Sequence, residues 1–163
     1  MTRDAGTRNE VYLDHAASTT MHPEALEVMQ AVLTSTHANP SGSHRMSRDA
    51  RKAVDEARDL VAELVGCLPG EVVFTSGGTE AANAAVLGAV RRHGGVSVCP
   101  AAEHHAVLHC VEHTGGVVLP VRADATVDPL TVDAALAANE RVAVVSVMAV
   151  NNEVGSVNDL AGV

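Results

Sequence analysis

Short apolar runs alternate with segments of helical period along most of this chain. Ala50, Val54, Ala57, Val61, Leu64 and Val65 recur every three or four positions, predicting a long helix to about Val65 with Gly66 as its stop. Arg51–Asp55 and Lys52–Glu56 fall at i,i+4 on the outer face of that helix. Pro23, with Glu24 beside it, opens an earlier helix to about Leu33. Glu71 to Thr75 is β-branched and aromatic and reads as a buried strand. Ser76 to Thr79 then turns the chain, and the Ala-rich run from Thr79 to Val90 has high helix propensity. Strand and helix repeat from there. Val96 to Cys99 predicts a strand, Glu103 to about His113 a helix, and Gly116 to Val121 a strand. Pro129 through Ala138 predicts a helix, and Val142 to Met148 a strand, apolar except for Ser146. Val11 to Leu13 reads as a further short strand, and residues 1–10 as a loose polar end.

Strands alternating with helices imply an α/β fold with a mostly parallel sheet and helices on both faces. Such sheets bind ligands at the carboxyl ends of their strands. Three polar clusters closely follow predicted strands: the Gly77-Gly78 loop, Glu103 to His105, and Val150 to Glu153. They are expected to converge on one sheet edge. Gly155 to Val163 looks like the start of another helix cut at its first turn, so residues 11–163 are expected to form an incomplete large domain.

Composition narrows the classes. Hydrophobic residues make up 47% of the 163 but aromatics only 1%, so the core must be built from Ala, Val and Leu. The formal charge of -9 argues against a nucleic-acid surface. No apolar run is long enough for a bilayer and no signal-peptide core is present, which makes the cytoplasm the expected location and a membrane an unexpected partner. Cys67, Cys99 and Cys110 show no paired spacing, and Cys67 reads as a small hydrophobe beside a helix stop. Among eleven basic residues Lys52 is the only lysine.

The Ser76-Gly77-Gly78-Thr79 turn carries the first chemical signal. A strand, a glycine turn and a helix N-terminus present free N–H groups and the positive end of the helix dipole to an anion, and the Ser76 and Thr79 hydroxyls can add donors. An ordinary strand–helix connection with Thr79 as N-cap reads equally well from this stretch alone. The loop Thr36 to His44 is rich in turn formers and hydrogen-bonding side chains. His105, His109 and His113 fall at i, i+4 and i+8, a spacing that can ligate a metal, but no carboxylate or cysteine completes a set, so they read as a surface stripe.

Five ordered motifs bring in a family. They are Tyr12 to Thr20, Asn39 to His44, Val73 to Asn83, Glu103 to Val107 and Val150 to Gly155. In this order they resemble the cysteine desulfurases, class V aminotransferase-like enzymes of fold type I that use pyridoxal 5′-phosphate (PLP). The resemblance covers nearly all of residues 11–163. It implies that Gly78 and Thr79 bind the cofactor phosphate, that His104 stacks over the pyridine ring and takes part in proton transfer, and that Asn152 hydrogen-bonds the phenolic oxygen. It also implies that Asn39 helps hold the substrate carboxylate. The implied reaction converts L-cysteine to L-alanine and leaves the sulfur on an enzyme cysteine as a persulfide, for a sulfur-acceptor protein. Family enzymes are usually dimers, so a homodimer or a complementing C-terminal chain is the implied partner.

The match has gaps. The family's cofactor-bearing lysine, the aspartate beneath the pyridine nitrogen and the persulfide cysteine stand beyond the matched motifs, and neither Lys52 nor any of the three cysteines corresponds to them. The resemblance therefore implies that residues 1–163 alone do not desulfurate cysteine. Ala38 and Ser47 stand where glycine is usual, and Ala149 where histidine is common. A selenocysteine lyase or class V aminotransferase is the neighbouring alternative, and a non-catalytic truncated subunit the alternative outside enzymology.

Overall fold

β1, Val96–Pro100, is the strand around which the second half of the chain is laid. In this computed structural model, which describes residues 11–162, β2 (Val117–Leu119) pairs with it on one side and β3 (Val142–Val145) on the other, both parallel. The order is thus β2-β1-β3. Period-2 alternation along β1 decides what covers each face. Cys99 meets Val86 of α3 (Gly78–His93) and Val107, Cys110 and Val111 of α4 (His105–His113). Its neighbour Val98 points the other way, into Leu119, Val127 and the Val132–Ala135 face of α5 (Pro129–Ala138). Helices therefore lie on both faces, as the alternation of elements predicts, and the core is Val, Ala, Leu and Cys. Asp128 caps α5 by accepting the Leu130 N–H at 3.0 Å, with Pro129 at the first helical position.

The chain separates at Val73/Phe74 into two compact units, and this sheet belongs wholly to the second. The first holds α1 (Pro23–Ser35) and α2 (Arg45–Val65). α2 is the predicted long helix. Gly66 terminates it at φ 73°, its N–H donating to Glu63 while Cys67 donates to Ala62, the paired bonds of a Schellman stop. The expected outer-face pairs form, Arg51–Asp55 at 3.3 Å and Lys52–Glu56 at 3.4 Å. Both are exposed and contribute at most about 0.5 kcal/mol each. At its other end His44 caps the helix, accepting the Ser47 N–H, and the buried Ser47 hydroxyl lies 3.0 Å from the same ring.

Two strand expectations fail. Val11 to Leu13 is exposed and irregular, and Tyr12 instead donates to the Asp14 carbonyl and meets the Ser18 hydroxyl within its own loop. Glu71 to Thr75 is not a buried strand. Glu71 ends a 3₁₀ turn (Pro69–Glu71), and the extended residues after it join no ladder, with Val73 78% exposed. β-branched residues favour extended dihedrals, but a strand also needs a neighbour, and among the described residues none pairs with this stretch. Two other strands are shorter than predicted. β2 stops before Pro120, which has no N–H, and Val121 then bridges antiparallel to Val127. β3 stops at Val145, although the Ser146 N–H still donates to Val98 at 2.9 Å. The expected loose end, residues 1–10, lies outside the described residues. No helix among the described residues is long and apolar enough to cross a membrane.

Candidate functional site

The carboxyl ends of β1 and β3 are where polar groups gather. After Pro100 the chain turns through Ala101 to Glu103, and His104 then caps α4, its Nδ1 accepting the Ala106 N–H at 3.1 Å. A donor facing Nδ1 puts the proton of the neutral imidazole on Nε2 and leaves that nitrogen as the ring's outward group. His104 is thus both the cap of a helix start and an exposed imidazole of fixed tautomer.

His104 forms a wall common to two clefts. One, of about 410 Å³, is lined also by Thr79, Asn83 and Leu87 of α3 and by His105, His109 and Cys110 of α4. The other, of about 230 Å³, is lined by the 101–105 turn together with Asn151, Asn152 and Glu153 after β3. Thr79 and Asn152 therefore each share a cleft with His104, Thr79 the larger and Asn152 the smaller. Gly78 is the first residue of α3, with Gly77 before it as N-cap, so Thr79 does not cap but stands one residue inside. A Cβ at either glycine would meet nothing within 4 Å, which leaves the helix end open above its N–H groups. Ser76 is not open. Its N–H and hydroxyl both donate to Glu80 Oε2, at 2.7 and 2.6 Å, and these bonds hold the Glu80 carboxyl below its ordinary range. Ser76 therefore shapes the turn, and the expected extra anion donor there is already engaged.

Asn39 lies in the first unit, where its Oδ1 accepts the Ser41 N–H at 2.9 Å and its carbonyl the Gly42 N–H. This fixes the Asn39–Gly42 turn. Gly42 is required beside Ser47, whose Oγ would stand 2.3 Å from an added Cβ. The rings of His105 and His109 are 5.3 Å apart on α4, and no group of three or more potential ligands gathers to hold a metal among the described residues.

Two buried polar residues near His104, and the half-buried Asn158, carry connections that the sequence leaves unassigned. Glu103, 8% exposed, accepts the His104 N–H at 2.9 Å and the Ser146 hydroxyl at 3.2 Å. Asn151, 9% exposed, reaches back to the Ala102 carbonyl at 2.9 Å. Asn158 accepts the Val127 N–H and donates to the Met148 carbonyl. The lone Ser146 in an apolar strand was the available signal, because a polar group at such a position needs a partner.

Cys99 and Cys110 are buried and Cys67 is half-buried. Burial pushes the Cys99 thiol up to about 11 from 9.0, and the Glu103 and Glu112 carboxylates add to the rise. The native state therefore holds this proton longer than the unfolded chain does, so the contribution to stability is full below 9.0 and is lost as pH climbs toward 11. At about pH 8 iodoacetamide is expected to label Cys67 in the native protein and to reach Cys99 and Cys110 only after unfolding. Peptide mass mapping checks this, and prompt native labelling of Cys99 would contradict it.

A helix N-terminus, a capping histidine and a turn asparagine thus gather at the carboxyl edge of a parallel sheet, the place where α/β proteins bind ligands. The chain belongs to the aminotransferase class-V family, whose model matches residues 11–163. It is 46% identical over 162 residues to the IscS-like cysteine desulfurase of Mycobacterium tuberculosis, covering 92% of this chain and 41% of that protein. It is 37% identical over 161 residues to the cysteine desulfurase IscS of Dictyoglomus turgidum, covering 94% and 40%. Among solved structures it superposes on a NifS-like protein with TM-score 0.81 at 29% identity, covering 91% of this chain and 43% of that one. On the NifS-like protein from Rickettsia africae it superposes with TM-score 0.80 at 26% identity. The chain spans about 40% of the length of the curated relatives it matches.

Proposed function

We propose that this chain is the phosphate- and ring-binding part of a PLP-dependent cysteine desulfurase, converting L-cysteine to L-alanine with sulfur passed to an enzyme persulfide. The observation that carries the reading is His104, fixed by the Ala106 N–H with Nε2 outward and flanked by a cleft shared with Thr79 and another shared with Asn152. The residues fit the cofactor. The open α3 N-terminus at Gly78 and Thr79 offers N–H groups and dipole to a phosphate. The His104 imidazole offers a flat face to the ring and an Nε2 that can move a proton, and the Asn152 amide offers a donor to a phenolic oxygen. Asn39, held by Ser41 in its turn, would contribute to the substrate carboxylate. PLP, when bound, supplies an electron sink for the substrate Cα.

The covalent and sulfur-carrying groups are assigned elsewhere. Lys52 is ion-paired to Glu56 on an exposed helix face, and Cys99 and Cys110 are in the core. On this reading residues 11–163 are the N-terminal segment and an incomplete PLP-binding domain. The lysine and persulfide cysteine then come from outside this sequence, in the same protein or in a complementing chain. L-cysteine, a sulfur-acceptor protein and a second copy are the implied partners, and the cytoplasm the implied compartment.

The test is PLP uptake by the full-length protein, followed by paired measurement of alanine and persulfide from L-cysteine. Saturable uptake is expected, with His104→Ala lowering the alanine rate by about a hundredfold or more, as loss of a general acid–base does. Absence of uptake, or an unchanged rate in His104→Ala, would overturn the reading.

A further inference from the structure

We propose that Asn151 is the positioning residue that sets His104 and Asn152 against each other across the β1 and β3 edge. This role rests on the PLP reading of the site. Asn151 is adjacent to Asn152 but turned inward, 9% exposed, and its side chain works in two directions. Its Nδ2 donates to the Ala102 carbonyl at 2.9 Å, across 49 residues, in the turn that delivers His104. Its Oδ1 accepts the Glu153 and Val154 N–H groups at 2.8 and 3.0 Å, closing the turn that displays Asn152. Its own backbone is engaged too, the N–H donating to Ser156 and the carbonyl accepting from Gly155, both at 2.9 Å.

A second strut runs beside the first. Glu103 accepts the His104 N–H through one carboxylate oxygen and the Ser146 hydroxyl through the other, again linking the His104 turn to the segment after β3. Two loops distant in sequence are thereby held at one spacing by side chains that are themselves buried and hydrogen-bonded. A site assembled from separate loops needs such support, because a fraction of an ångström of slack between its groups is felt in binding.

Asn151→Asp separates this role from a merely structural one. The aspartate keeps an acceptor for Glu153 and Val154 but replaces the donor to Ala102 with an oxygen facing a carbonyl. In the full-length protein without cofactor, the His104 ring resonances are expected to shift or broaden while the Glu153 and Val154 amides stay protected from exchange. PLP affinity is expected to fall by about tenfold, the scale of one lost buried hydrogen bond, with binding of inorganic phosphate unchanged. Asn158→Ala is the structural control: it removes bonds to Val127 and Met148 and is expected to lower Tm without moving the His104 signal. If Asn151→Asp does not fold, Asn151→Ser, too short to span to Ala102, takes its place. Unchanged His104 resonances, or an unchanged PLP affinity in a wild-type protein that binds it, would overturn the positioning role alone. A wild-type protein that takes up no PLP would overturn the site reading and this role with it.

Discussion

Gly78→Asp is expected to leave the fold intact, raise Tm slightly and weaken PLP binding by about a hundredfold. The opposing signs follow from one helix end. An added Cβ at Gly78 meets nothing within 4 Å, so the substitution is sterically tolerated. A carboxylate in the first turn of α3 is favourable to the helix dipole by about 0.5 kcal/mol, and Ala-rich α3 gains from losing a glycine. A phosphate at the same N-terminus instead meets a like charge a few ångströms away, a repulsion of about 3 kcal/mol near a protein surface, or about a hundredfold in affinity. Titration of PLP against wild type, Gly78→Asp and Gly78→Ala measures it, the alanine variant separating charge from bulk. Equal affinities in all three would remove the phosphate from this helix end while leaving the fold assignment untouched.

The largest stability effect is expected from Gly95→Ala, at about 3 kcal/mol. Gly95 joins α3 to β1 at φ 94°, a conformation that costs an L-residue about 1–2 kcal/mol. Its ideal Cβ would also stand 2.3 Å from the Arg141 carbonyl oxygen and 2.8 Å from the Arg141 carbonyl carbon, which adds about 1–3 kcal/mol of overpacking. Those are backbone atoms, and the same Arg141 oxygen accepts the Val96 N–H at 3.0 Å where β3 begins beside β1. Relief by movement would therefore disturb the sheet itself. Gly115→Ala is the comparison. It too has positive φ, 68°, but an added Cβ there meets nothing within 4 Å, so only the backbone term of about 1 kcal/mol is expected. Thermal unfolding of the two variants should differ by several degrees in Tm. Equal losses would show that the Arg141 backbone yields freely.

Much of the placement of the candidate site was legible because its parts are local. The Gly66 stop of α2, Pro129 opening α5, and the position of His104 and Asn152 just past strands all follow from short-range pattern and turn chemistry. The motif order was enough to name the family that the comparison over residues 11–163 shows. The Ser76 hydroxyl, standing in a glycine turn, reads from the sequence as a donor for an anion. The structure gives that hydroxyl to Glu80, four residues on, a choice between two acceptors that residue identity leaves open. Asn151 and Asn152 are the same residue type side by side, and sequence does not distinguish the buried strut from the exposed amide.

By itself, the sequence determined the alternation of strand and helix, a Val/Ala/Leu core in place of an aromatic one, and the polar clusters that follow β1 and β3. These are consequences of period, propensity and capping, which act over a few residues. The tertiary structure decided which extended segments became strands, since Val11 to Leu13 and Glu71 to Thr75 have the composition but no ladder partner among the described residues. It also decided that Cys99 faces α3 and α4 while Val98 faces α5, and that Glu103 and Asn151 tie loops 43 and 49 residues apart. The physical reason is common to all of these. A backbone or buried polar group is satisfied by whatever partner the folded chain brings within hydrogen-bond distance, and that partner is fixed by long-range packing.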